Sequence, residues 1–191
     1  MEYKNTLNLP QTDFPMRAGL VQREPERLAK WYADSLYEQI QKRREGAERF
    51  LLHDGPPFAN GDVHIGTALN KILKDFILKY QTLRGKHVPY VPGWDCHGLP
   101  IEFKVTQQMR KDGNTDATPA AIRKACEEYA LGFIDTQREQ FKRLGVLGEW
   151  DNPYLTLNPA YEAEELRLFA DLVEKGFVYR GKKPVYWSIP C

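Results

Sequence analysis

A chain of 191 residues, 42% hydrophobic and 28% charged, with 14 glycines and 13 prolines, is composed like an ordinary folded protein, not like a disordered, collagenous or low-complexity segment. No run approaches the ~18 consecutive apolar residues of a membrane-spanning helix, and residues 1–7 lack the apolar core of a secretory signal, so a cytoplasmic chain with no membrane partner is expected. Lys plus Arg, 27, against Asp plus Glu, 26, leaves a formal charge of +1, and no bulk basic field announces a nucleic acid.

Local patches at Lys42-Arg43-Arg44 and Lys182-Lys183 could serve such a partner, though charge runs of this size are more often a plain solvated surface. Cys96, Cys126 and Cys191 lie too far apart for paired disulfides or a zinc motif, so no metal site is expected and the thiols read as free. Periodicity predicts a first helix over 24–41, with Pro25 in its first turn and Leu28, Trp31, Leu36 and Ile40 on one face. Phe50-Leu51-Leu52-His53 then reads as a strand, closed by the breakers Asp54-Gly55-Pro56-Pro57.

A loop over 55–62 leads to a second helix, where Leu69, Ile72, Leu73, Phe76, Tyr80 and Leu83 recur at helical spacing up to Gly85. His87-Val88-Pro89-Tyr90-Val91 resembles a short strand, with Pro89 marking it as an edge or an irregular one. A third helix starts at Thr118-Pro119 and runs to Gly145; a fourth starts at Asn158-Pro159, carries Leu166, Phe169 and Val173 as its stripe, and ends at Gly176. Strands are predicted at 177–179 and 184–188. Alternating strands and helices indicate the α/β class, whose ligands sit beyond the carboxyl ends of parallel strands.

The tract 53–67 occupies that position after the first strand. Gly55, Gly61 and Gly66 let a ligand approach the backbone, and the following helix start should offer unpaired N–H groups and a positive dipole end to a phosphate. His64, at the helix entrance, can donate to phosphate oxygens; it also fits a capping histidine at a surface turn. The Walker pattern G-x-x-x-x-G-K-[ST] is absent. In the second tract, 92–102, Asp95 can hold a substrate ammonium, and equally can cap a turn.

These two tracts, with Leu69-Asn70-Lys71-Ile72-Leu73-Lys74-Asp75 and the opening Tyr3-Lys4-Asn5-Thr6-Leu7-Asn8-Leu9-Pro10 and Phe14-Pro15-Met16-Arg17, resemble the amino-terminal part of the bacterial isoleucyl-tRNA synthetases, which are class I aminoacyl-tRNA synthetases. The resemblance runs from end to end. It implies the first half of a Rossmann-like class I catalytic fold over 46–191, preceded by an N-terminal helical arm over 1–45 and ending near the start of an inserted editing domain. It implies ligase chemistry: ATP with Mg²⁺ activates L-isoleucine to an adenylate, and the aminoacyl group passes to the acceptor end of tRNA(Ile). His64, Gly66 and Thr67 would bind ATP, with His64 and Thr67 acting in catalysis; Gly55, Pro56 and Asp95 would bind isoleucine.

Thr67 stands where the family's His-Ile-Gly-His motif has its second histidine, which implies slower adenylation than in a Thr67→His variant. The family's Lys-Met-Ser-Lys-Ser loop is missing from this sequence, so the isolated chain is expected to be inactive without the missing carboxy-terminal part, and poorly soluble through an open sheet edge and bare helix faces. The rival reading is a non-catalytic module that binds ATP, isoleucine or tRNA.

Overall fold

In the computed structural model, residues 3–8, 11–13 and 17–189 are described. The arm residues Leu9, Pro10, Phe14, Pro15 and Met16, and the third cysteine, Cys191, lie outside them. Gly19, left-handed at φ 56°, starts helix α1 (Leu20–Ala33) a turn earlier than periodicity predicts, so Pro25 falls inside the helix and not in its first turn. The predicted single helix over 24–41 is two. Ser35 at φ 48° interrupts the backbone ladder, and α2 (Leu36–Arg43) sets off in a new direction. That turn brings Tyr37 and Gln41 onto the backbone of 88–90: the Tyr37 hydroxyl accepts from Tyr90 N–H at 2.9 Å, and Gln41 Nε2 donates to Val88 O at 3.1 Å.

Three chain segments run parallel. Arg49 bridges His87, Phe58 bridges Asp95, and strand β1 (Gly93–Trp94) pairs with β2 (Tyr154–Leu155) in the register Gly93 to Tyr154. Of the strands predicted at 50–53 and 87–91, only His87 is paired, by a single bridge to Arg49 just ahead of the first, and the longer pairing falls at 93–94, outside both. Proline explains the gaps. Pro56, Pro57, Pro89 and Pro92 have no N–H to give a ladder, so pairing survives only before and after them in each segment. The segments 177–179 and 184–188 form no strand, and Tyr179, Val185, Tyr186 and Trp187 are exposed.

Helix α3 (Ile65–Leu83) connects the first parallel segment to the second; α4 (Leu99–Lys111) and α5 (Pro119–Arg143) connect β1 to β2. Two successive crossovers between parallel strands are the connectivity of half a Rossmann-like unit. Thr118 caps α5 by accepting from Ala121 N–H at 3.2 Å, and Asn158 caps α6 (Pro159–Glu174) through Ala160 N–H at 2.9 Å, as the cap-then-proline pattern predicts. Pro100, early in α4, has the same meaning, which the sequence reading did not see.

The core centres on Trp94, fully buried between Phe141 and Trp150, with Ala130, Ile134 and Phe141 of α5 and Ile101 and Val105 of α4 around it. The face of α3 is the reverse of the predicted one. It buries Lys71, Asp75 and Leu78, while Leu69, Leu73, Phe76, Tyr80 and Leu83 face outward. Helix α6 buries no residue, and its stripe of Leu166, Phe169 and Val173 is exposed. Among the described residues no helix is long and apolar enough to cross a membrane.

Candidate functional site

The loop after Asp54 delivers the chain to the amino end of α3, where His64 is the cap residue, extended at φ −87° and ψ 169°. Its Nδ1 accepts from the backbone N–H of Gly66 at 3.1 Å and of Thr67 at 3.3 Å, while Nε2 lies 3.0 Å from the Thr67 hydroxyl. With Nδ1 an acceptor, hydrogen bonding assigns the neutral ring its proton on Nε2. The Thr67 oxygen accepts it, which leaves the Thr67 hydroxyl hydrogen to point elsewhere. The capping geometry is thus present. It corrects the expectation of free N–H groups at this helix start, because those of Gly66 and Thr67 already serve the imidazole.

Gly55, Pro56, His64, Gly66 and Thr67 line one open cleft of about 270 Å³, together with Pro57, Asn70 and Lys71. Gly66 leaves its wall bare: a Cβ there would meet the His64 ring, at 3.1 Å, and nothing else within 4 Å. Asp95 is not in the lining. It pairs with Phe58 through its backbone, and its Oδ1 accepts from His97 N–H at 3.3 Å, the turn-capping arrangement.

Helix α5 fixes the loop in place, a role that the sequence reading missed. Buried Gln137 accepts from Trp94 Nε1 at 3.0 Å and donates to Phe58 O at 3.1 Å and Gly61 O at 2.8 Å. One turn on, Gln140 accepts from Val63 N–H at 2.8 Å and donates to Asp62 Oδ1 at 2.7 Å, while Tyr129 donates to Asn60 Oδ1 at 2.9 Å. The i, i+3 glutamines were the only signal, on a helix whose apolar residues drew the attention. Gln137→Leu keeps the bulk but strands two carbonyls and an indole N–H, so a stability loss of about 2–3 kcal/mol is expected in urea unfolding. A loss below the error of that measurement would refute the clamp.

Beneath the cleft lies a buried ionic cluster, also missed. Asp54, fully buried, takes hydrogen bonds from the ammonium groups of Lys71 and Lys74 (2.7 Å for Lys74) and from Gly93 N–H at 3.0 Å. Burial alone would raise the Asp54 pKa, but the Lys71 charge and these hydrogen bonds hold it below the usual carboxylate value. The Tyr154 hydroxyl donates to Asp54 O, and Lys71 reaches the Tyr90 hydroxyl at 3.2 Å. Burial, then the Asp54 charge, raises the pKa of both tyrosines, so both stay protonated donors.

The cleft lining offers a metal no free carboxylate, since Asp54 is occupied by its lysines, and among the described residues no group of three or more His, Cys, Asp or Glu could hold one. These residues do not fit a resident Mg²⁺.

Parallel crossovers leading into a glycine-lined cleft at a helix start define a Rossmann-like protein. The model of the family of class I tRNA synthetases (I, L, M and V) matches residues 26–191, and the chain belongs to that family. Isoleucine–tRNA ligases of Fervidobacterium nodosum and Thermotoga maritima are each 58% identical over 191 residues, all of this chain and 21% of each relative. That of Zymomonas mobilis is 58% identical over 196 residues, covering 98% of this chain and 20% of the relative. The chain thus spans about a fifth of the length of the curated relatives it matches. Among solved structures, a LeuRS from Agrobacterium radiobacter in a ternary complex with tRNA and LeuAMS matches with a TM-score of 0.62 and 27% identity, over 85% of this chain and 19% of that one.

Proposed function

We propose that residues 46–191 are the first half of the catalytic domain of an isoleucine–tRNA ligase, with residues 1–45 as its N-terminal arm and helix. The convergence of Gly55, Pro56, His64, Gly66 and Thr67 on one cleft is the observation that carries this reading. Relatives at 58% identity that bear the isoleucine name support the choice of amino acid within the family. In this reading the isoleucine carboxylate attacks the α-phosphorus of ATP, pyrophosphate leaves, and the adenylate passes its aminoacyl group to the acceptor end of tRNA(Ile).

The residues act by alignment and by placing positive or donor groups where phosphoryl charge builds up. The His64 Nε2–H, given to the Thr67 oxygen in this structure, would turn to the phosphates as they arrive, and Thr67 offers its hydroxyl hydrogen at the same rim. Gly66, with no side chain to stand over the wall, leaves room for the adenine ring. Gly55 and Pro56 form one side of the amino-acid pocket, and Asp95 meets the ammonium group from outside the cleft lining. Mg²⁺ arrives as the counter-ion of ATP. Such a reaction belongs in the cytoplasm.

The outward apolar rows of α3 and α6 support a chain completed by further protein, because exposed rows of this kind call for a cover. The test is pyrophosphate exchange into ATP by residues 1–191 completed with a carboxy-terminal part, with isoleucine, valine or leucine as substrate. Exchange is expected with isoleucine, and a fall of about 10²-fold or more with His64→Ala, which removes a donor to developing charge. Binding of ATP without exchange would favour the non-catalytic module instead.

A further inference from the structure

Two ammonium groups converge on the single carboxylate of Asp54, and they do different things. Lys71, almost wholly buried, spends its second hydrogen bond on the Tyr90 hydroxyl and lies 5.0 Å from the Phe141 ring centroid, so its ammonium is committed to the core although the residue also borders the cleft. Lys71 and Gly93 N–H already balance the Asp54 charge. Lys74 is a second cation on the same carboxylate, held by its other oxygen at 2.7 Å, and it has a further bond to give. Its other bond is a donation to Gly55 O at 3.1 Å.

Gly55 stands before Pro56 and Pro57, two residues with no N–H to tie this stretch to a neighbouring strand. Its carbonyl is held from the side by the Lys74 ammonium, which Asp54 in turn anchors at 2.7 Å. A Cβ on Gly55 would meet only Lys74 Nζ, at 3.6 Å, so the protein's own packing leaves that position open on the cleft side.

We propose that Lys74 is a positioning residue for the amino-acid pocket: through Asp54 it fixes the Gly55–Pro56 peptide that forms one wall, and so sets affinity for the amino acid separately from that for ATP. This rests on the reading of Gly55 and Pro56 as that wall.

Amino-acid-dependent pyrophosphate exchange by the chain completed with a carboxy-terminal part tests it, with KM for amino acid and for ATP measured on Lys74→Met and Lys74→Arg. Lys74→Met keeps the length of the stem and removes the charged donor; its KM for isoleucine should rise roughly tenfold or more, the worth of a charge-assisted hydrogen bond, while KM for ATP stays put. Lys74→Arg, which keeps charge and donor, should restore most of the difference. If Lys74→Met does not fold, Lys74→Gln should show the same selective rise. A lower melting temperature with both KM values unchanged would make Lys74 merely structural and overturn the proposal, as would a parallel rise of both. If the unmodified chain prefers valine or leucine, the isoleucine reading fails by itself, and the Lys74 proposal is judged on the KM of the preferred amino acid.

Discussion

Gly93→Ala is expected to cost the chain about 3 kcal/mol or more of stability, at the upper end for overpacking one carbon into a filled core. A Cβ at this strand position would overlap the ring of Tyr154, its partner across the parallel pair. That half-buried ring is held at three points. It stacks on His53 at 5.4 Å between centroids and on Tyr161 at 5.9 Å, and its hydroxyl holds Asp54 O. Gly55→Ala is the matched control: the nearest atom to its Cβ is a lysine tip at ordinary contact distance, and stability should change by less than about 1 kcal/mol. Urea unfolding of the two variants gives the comparison. Equal losses would show that the Gly93–Tyr154 contact does not govern the sheet.

Asp54→Asn should be as severe, by a different route. It leaves Lys71 buried with its charge unmatched, and breaking a buried pair from one side costs about 3–5 kcal/mol. The pH dependence has a definite sign. A carboxyl whose folded pKa lies below its unfolded value of 3.8 contributes stability above that value and loses it as pH falls through the folded pKa. Unfolding free energy should therefore fall on acidification below pH 3.8, and Asp54→Asn should lose that part of the slope. Asp75 acts in the opposite sense. Burial raises its pKa despite the Lys79 ion pair, so protonation of that group favours the folded form, and the difference between wild type and Asp54→Asn isolates the Asp54 share. An unchanged acid slope in the variant would contradict the account.

Helix starts were legible where a cap residue and a proline stand together, at Thr118-Pro119 and Asn158-Pro159, because both act within one turn and need no tertiary partner. The break at Ser35 was not legible. Residues on either side keep helical spacing, and what favours the break is a distant target, the backbone of 88–90 that Tyr37 and Gln41 reach only after the turn. Periodicity misjudged α3 for a related reason: it finds the apolar row and assumes that the row faces this chain's core. Here the charged row faces inward, held by Asp54 and by the carbonyl of Gly145, which Lys79 reaches at 2.9 Å.

The candidate site shows the same division. A run of breakers followed by His-Ile-Gly marked the loop and the helix start, and those residues do meet in one cleft. The groups that hold them there, Gln137, Gln140, Lys71 and Lys74, carry no local signature, since a glutamine or lysine on a helix normally faces water. Only the fold reveals them. Asp95 remains a separate case: the tract around it is distinctive in sequence, yet its carboxylate is turned to its own backbone at His97.

The most direct measurement is a structure of the full chain with isoleucine and a non-hydrolysable ATP analogue. The phosphates are expected against His64 and Thr67 and the isoleucine side chain against Gly55 and Pro56. Nucleotide bound away from the amino end of α3, or isoleucine seated outside the Gly55–Pro56 wall, would contradict it.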